Sequence, residues 1–381
     1  MRRLILAAWA AAFVAAPAIA AQPFIFSGYV EGRLGYGTNP FLGSGQSSAA
    51  GFGGFTFSPS LSRSTAVSTT TLAGSYDREQ YFNRYGHTET YAANVAHRQQ
   101  LSEHATLSGN VSYLLSDNPL VTPSSDAIVL VDPLSSGTRT RTLSGEANLD
   151  WTPTGRDNFN FGVNAQHSTY SNGLFSGSDY DQYGGSVGYL RTLSARTKLG
   201  VRVYYSRYTS ENFSNGSSFA PSLAIDQVLS PIWKLNGDVG LVIQRVDGPS
   251  SRTTTGLGFH ANLCGTYPRS SICFAAARST SGSGVGGFSR TTSLSVTASK
   301  RLSERSTLTA FASYEETGAN RSVLFTNARI YQGRLDYSHQ LTQRLSGGAT
   351  GRYQRSDYGG FGSATSVAGT INLRWQIGRV G

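Results

Sequence analysis

Between residues 24 and 377 apolar and polar side chains alternate with a period of two, in run after run. Leu107, Gly109, Val111, Tyr113 and Leu115 share one face, and Thr106, Ser108, Asn110 and Ser112 the other. The same holds for Leu199, Val201, Val203 and Tyr205 against Gly200, Arg202, Tyr204 and Ser206. Leu308, Ala310, Ala312 and Tyr314 stand likewise against Thr307, Thr309, Ser313 and Glu315. Side chains of a strand point alternately to its two faces, so each run predicts a long, half-apolar β-strand. No helical period lies between the runs, which excludes a parallel sheet built from helical crossovers.

Short repeats punctuate the runs. LSEHATL (Leu101–Leu107), LSARTKL (Leu193–Leu199), LSPIWKL (Leu229–Leu235) and LSERSTL (Leu302–Leu308) share one pattern, and LTQRL begins at Leu341. Each reads as a tight turn between antiparallel strands. The traced strands run from 24–36, 54–63 and 68–78 through 252–263, 271–279 and 288–299 to 365–377. They number about eighteen, within a range of 16–18, and an even count suits a closed single-chain barrel. The repeats fall at one end, with STAVST, TPTGRDN and GTYPRSSI between them. Longer Gly/Ser/Pro-rich segments fall at the other: Gly37–Gly53, Asp117–Thr138 and Ser281–Gly287. Tight turns at one end and long loops at the other are the asymmetry of a transmembrane β-barrel, with the turns periplasmic and the loops outside. A soluble β-sandwich would need large residues on its second face; here that face carries Asn, Thr, Ser, Gln, Arg and Gly. The predicted fold is therefore all-β, a transmembrane antiparallel barrel with a wet interior.

Aromatic placement agrees. Trp151, Trp233 and Trp375 fall at the short-turn end on the apolar face, and Tyr113, Tyr205, Tyr314 and Tyr353 at the far ends of rising strands. Two such belts bound a lipid-facing band. MRRLILAAWAAAFVAAPAIA, residues 1–20, reads as a secretory signal peptide with the small-residue site Ala18-Ile19-Ala20, leaving 21–381 as the barrel. With Arg2 and Arg3 removed from the formal charge of +10, the exported chain carries about +8, nearly all of it arginine. Export places Cys264 and Cys273 in an oxidising compartment, where a local disulfide is expected. The alternative is a pair of free thiols at a turn.

The LSxxxTL turns, the strand ends VSYLLSD (Val111–Asp117) and ASYEETG (Ala312–Gly318), and LCGTYPRSSIC (Leu263–Cys273) carry a resemblance. The chain resembles the beta-barrel porin 2 type of bacterial outer-membrane protein, some of which are similar to barrels encoded with exopolysaccharide export machinery. The resemblance covers nearly the whole exported chain. It implies a barrel in the outer membrane of a Gram-negative bacterium, with the lipid bilayer and the barrel-assembly machinery as partners, and polysaccharide export components as further candidates. Barrels of this type commonly end on an aromatic residue; here TINLRWQIG runs on past Trp375 to Arg379-Val380-Gly381.

The alternation also assigns the inner face. Ile371, Leu373, Trp375 and Ile377 face lipid, so Arg374 faces the lumen, as do Arg33, Arg334 and Arg352. Closure of the last strand on the first brings these four into a basic stripe on one wall, with Glu31 and Asp336 beside it. Guanidinium forks bind carboxylates through paired hydrogen bonds, so the stripe suits anionic solutes or saccharides. The alternative is a self-neutralising wall, because Glu146, Asp150, Asp226 and Asp238 also point inward. The apolar AIVLVDPL within Asp117–Thr138 either folds inward as a constriction or packs across the mouth.

The six histidines are scattered. No nucleophile elbow, metalloprotease helix or phosphate loop accompanies them, and the glycines of Gly282–Gly284 and Gly359–Gly362 read as loop. The expectation is a protein that is not an enzyme, has neither cofactor nor metal, and does not bind nucleic acid. Three roles follow for such a barrel: a porin-like channel for hydrophilic solutes, an accessory or plugged barrel of an exopolysaccharide export system, or an adhesive surface barrel.

Overall fold

A computed structural model describes residues 23–42, 49–83, 85–117, 139–171, 179–212, 215–247, 251–283, 287–318, 327–357 and 362–378. The expected signal peptide, residues 1–20, and most of Asp117–Thr138, with its apolar AIVLVDPL, lie outside the described residues.

The chain forms β1 (Ile25–Thr38), β2 (Ala50–Ser64), β3 (Ser68–Tyr81), β4 (His87–Ser102), β5 (Ala105–Ser116) and β6 (Arg139–Trp151). There follow β7 (Asp157–Ser171), β8 (Tyr180–Ser194), β9 (Thr197–Ser210), β10 (Gly216–Val228), β11 (Trp233–Val246) and β12 (Arg252–Tyr267). The last are β13 (Ser270–Ser283), β14 (Gly287–Arg301), β15 (Ser306–Gly318), β16 (Asn327–Gln340), β17 (Leu345–Asp357) and β18 (Ser363–Gly378). Each strand pairs antiparallel with its neighbours, and β1 pairs with β18 from Ser27↔Gly378 to Thr38↔Val367, closing an 18-stranded barrel.

The repeats earn their place through one side chain. In LSERSTL, Leu302 N–H and Ser303 N–H donate to Ser306 O at 2.9 and 3.3 Å, and Arg305 N–H donates to Ser303 Oγ at 3.2 Å. In LSPIWKL, Trp233 N–H donates to Ser230 Oγ at 3.0 Å, and in LTQRL, Leu345 N–H donates to Thr342 Oγ1 at 3.0 Å. The hydroxyl after the leucine accepts the turn's own amides, which is why Ser or Thr recurs there.

Leu34, Val163, Val187, Leu223, Leu241, Ile371 and Leu373 stand half-exposed on the outer surface. An apolar exterior of this extent, over a sheet closed through the β1–β18 ladder, is stable against lipid and not against water. Burial instead concentrates inside the barrel, toward the long-loop end: Phe52, Tyr81, Tyr180, Tyr208, Val242 and Ile330 are all buried there.

Two boundaries depart from the sequence reading. β1 and β2 run to Thr38 and from Ala50, deep into the predicted loop Gly37–Gly53. β13 and β14 run to Ser283 and from Gly287, so Gly282 and Ser283 are strand and not loop. Above the lipid band both faces of a strand meet polar surroundings, so alternation fades while the ladder continues.

One seam interrupts the wall. β12 and β13 pair only from Tyr267↔Ser270 to Phe259↔Arg278, whereas β11 pairs with β12 up to Val246↔Arg252. Beyond the seam β13 passes inside the wall. Gly282 N–H donates to Gln182 Oε1 of β8 at 3.1 Å, and a Cβ on Gly282 would meet Tyr208 of β9 at 2.1 Å. Gly258 of β12, on the inner face, leaves room for the crossing: a Cβ there would meet Val242 Cγ2 at 2.4 Å and Arg278 O at 3.5 Å.

Candidate functional site

Closure of β18 on β1 brings six strands, β16–β18 and β1–β3, into one wall. Their inward positions carry Arg33, Arg334, Arg352 and Arg374. The acids on the same face are Glu31, Asp77, Glu79 and Asp336, so the formal charges of these eight groups cancel.

Arg33 is the most enclosed. Its Nη1 and Nη2 donate to Asp77 Oδ2 and Oδ1, each at 2.7 Å, a two-pronged pair. Nε and Nη2 also reach Glu79 Oε1 at 3.2 and 3.0 Å, and Nη1 donates to Thr56 Oγ1 at 2.6 Å. Tyr81 OH donates to Glu79 Oε2 at 2.9 Å. Gly54 makes this fit: it stands opposite Arg33, and a Cβ there would lie 2.6 Å from Arg33 Nε. The Arg33, Asp77 and Glu79 side chains are 12%, 10% and 7% exposed.

Arg374 stands opposite Glu31 across the closing seam and donates through Nε to Glu31 Oε2 at 2.8 Å. Its guanidinium lies 4.2 Å from the Tyr29 ring centroid, an added cation–π contact. Arg334 Nε donates to Asp336 Oδ1 at 2.8 Å, and Thr350 Oγ1 donates to the same oxygen at 2.8 Å. Arg334 and Asp336 keep about a third and a quarter of their surface in water, so the lumen is wet at this level.

Arg352 differs. It stands directly opposite Arg334, and among the described residues it makes no ion pair and no hydrogen bond. Gln354, two residues on and on the same face, has a buried Nε2 without a hydrogen-bond partner. Arg352 and Gln354 together present donors and no acceptor pairing, which is the chemistry that receives an oxyanion.

The sequence reading placed Glu31 and Asp336 beside the stripe; Asp77 and Glu79 were missed as partners of Arg33. Its strand ended at residue 78, whereas β3 continues to Tyr81 and turns Asp77, Glu79 and Tyr81 inward. The opposite wall holds a comparable pair, Arg202 Nη1 to Asp238 Oδ1 at 3.1 Å.

Cys264 and Cys273 are disulfide-bonded register partners on β12 and β13, with Cα atoms 4.1 Å apart. Trp151 and Trp375 stand half-exposed at the short-turn end; Trp151 packs against Phe159 at 5.4 Å and Trp233 meets Tyr267 edge-on at 6.5 Å. Toward the long-loop end Tyr205 and Tyr353 are exposed, Tyr113 is half-buried, and Tyr314 packs on Tyr331 at 5.1 Å. Among the described residues no three His, Cys, Asp or Glu side chains gather as a metal site.

No family model and no curated protein matches the sequence. Solved structures do match in shape. The crystal structure of Pseudomonas aeruginosa OccK2 (OpdF) is similar with TM-score 0.49 and 11% identity, over 94% of this chain and 100% of that one. The same protein in complex with glucuronate gives TM-score 0.48 and 12% identity, over 94% and 100%. A BenF-like porin from Pseudomonas fluorescens Pf-5 gives TM-score 0.48 and 8% identity, over 93% and 99%.

Proposed function

We propose that this chain is a porin-like channel of a Gram-negative outer membrane, inserted by the barrel-assembly machinery, that passes small hydrophilic solutes and favours anions, among them acidic saccharides. The closed barrel, its lipid-facing exterior and its wet, charged inner wall support the channel. The preference rests on one observation, the unpaired Arg352 on a wall where Arg33, Arg334 and Arg374 each have an acid. A paired arginine offers a passing anion little net field. An unpaired one, beside the unpartnered amide of Gln354, offers both charge and hydrogen bonds. The test is single-channel conductance of the refolded barrel in a planar bilayer, with the reversal potential read in a salt gradient. An anion-leaning potential that moves toward neutrality in Arg352→Gln supports the reading; an unchanged potential removes Arg352 from it.

A second reading is an accessory barrel of an exopolysaccharide export system, closed until a partner engages it. The inward passage of β13 onto Gln182 and Tyr208 favours it. A folded barrel that stays silent in the same bilayer would select this reading.

A further inference from the structure

Beyond the parting of β12 and β13, the end of the β13–β14 ladder turns a basic face toward the wall it has left. Arg278, Thr280 and Gly282 share one face of β13, and Arg290, opposite Thr280, shares it on β14. In a fully zipped barrel that face would look outward. Here it meets the inner side of the wall: Gly282 touches Gln182 and Tyr208, and the Arg290 guanidinium packs over Gly256. Gly256 is an inward position of β12, in register with the buried Val242. A Cβ on Gly256 would come within 2.3 Å of Arg290 Nη2, so the guanidinium takes the space of a side chain.

The donors on this face lack acceptors. Arg278, at the last rung of the β12–β13 ladder, has a buried Nε without a hydrogen-bond partner. Thr280 is 8% exposed, and its buried hydroxyl has no partner either. Among the described residues Arg290 makes no ion pair and no side-chain hydrogen bond, and the charge that bears on it is a second cation, Arg278. No acid answers them. The inward wall positions around Gly256, namely Val242, Gln244 and Thr254, carry no carboxylate. Glu316, on the Arg278 rung two strands away, is taken by Arg329 at 3.2 Å and by Tyr314 OH at 3.1 Å. Two unneutralised guanidiniums and an unpartnered hydroxyl at one seam cost free energy unless an anion joins them.

We propose that the seam between the inward end of β13–β14 and the wall binds one tetrahedral oxyanion, inorganic phosphate or sulfate, through Arg278, Thr280 and Arg290. Two negative charges balance the two guanidiniums, and oxygens pointing in four directions accept from both forks and the hydroxyl together. A carboxylate, with a single charge, leaves one guanidinium unbalanced. The site lies on other strands than Arg352 and does not depend on whether the lumen conducts.

The test is isothermal titration calorimetry of the refolded barrel in detergent, with inorganic phosphate, sulfate and acetate. All proteins carry Arg352→Gln, so the wall of β16–β18 and β1–β3 adds no second anion site. One phosphate or one sulfate should bind, and acetate about tenfold more weakly. Arg278→Gln/Arg290→Gln should weaken phosphate binding by about tenfold or more, and Thr280→Val by about fivefold. Thr280→Val is the sharper variant, because it keeps the side chain's shape, and a hydroxyl with no ligand to serve would leave affinity untouched. Heat-modifiable gel mobility verifies that each variant is folded. Full phosphate affinity in either variant overturns the proposal, as does acetate binding as tight as phosphate. Reversal potentials of the barrel with Arg352 intact report the channel reading separately, so failure of one is not failure of the other.

Discussion

Arg334 and Arg352 stand directly opposite each other on β16 and β17, and among the described residues only Arg334 of the two forms an ion pair with a carboxylate. Like charges facing across a ladder repel, so this rung costs stability, as suits a group that binds and not one that holds the wall together. Arg352→Gln is expected to leave the barrel as stable as wild type or to stabilise it by up to about 1 kcal/mol, while anion preference falls. Urea titration and reversal potentials read the two effects side by side. A destabilised variant with unchanged selectivity would make Arg352 structural.

Asp336→Asn should act in the opposite sense. It frees Arg334 beside Arg352, so the wall gains a second uncompensated cation and anion selectivity should rise. Asn keeps the side chain's size and one acceptor oxygen, so a change in reversal potential reports charge and not shape. No rise would mean that the permeating ion does not pass this wall.

Arg33 answers to different physics. Among the described residues it is the only cation in an ion pair with Asp77 and Glu79, both nearly buried. Arg33→Met would leave two carboxylates enclosed without a counter-charge, at a cost of about 3–5 kcal/mol in a folding titration. Arg33→Lys should recover only part of this, because an ammonium cannot reproduce the forked contact with Asp77. A loss under about 1 kcal/mol would show that water already reaches the cluster.

The lipid face gives a prediction that separates neighbours in sequence. Leu373 is half-exposed on the outer surface, while Asn372, opposite Arg33, points inward. Leu373→Arg should cost about 2–4 kcal/mol of folding free energy in lipid, and Asn372→Arg much less. The reverse order would exchange the two faces of every strand.

How far the sequence carries is itself explained by these surroundings. Within the lipid band one face must be apolar and the other may be polar, so period-two alternation marks strands such as β5, β6 and β18 directly. The LS turns are legible because the hydroxyl has a local task. Asp77 and Glu79 were not legible as site residues. Tyr76, Arg78 and Gln80 share the outer face of that stretch, and the polar Arg78 and Gln80 remove the alternation although pairing runs on to Phe52↔Tyr81. The inward passage of β13 was hidden for another reason. The Ser- and Gly-rich Ser281–Gly287 read as a loop, and what holds the segment is contact with Gln182 and Tyr208, distant in sequence.

That passage makes the last prediction. Gly282 lies against Tyr208, a ring with no exposed surface, and a Cβ would fall 2.1 Å from Cδ2 and 2.5 Å from Cε2. The ring is walled in on one side by Tyr180 at 5.3 Å, so it cannot swing clear. Gly282→Val must therefore push β13 away from β9, back toward the barrel wall, and break the bond from Gly282 N–H to Gln182. The Cys264–Cys273 disulfide holds the short-turn half of the β12–β13 ladder, so the displacement is confined to the long-loop half. A channel narrowed by this segment should conduct more in Gly282→Val than in wild type, and Gln182→Ala should show a smaller rise. If single-channel conductance is the same in all three, the segment does not lie in the path of the ions.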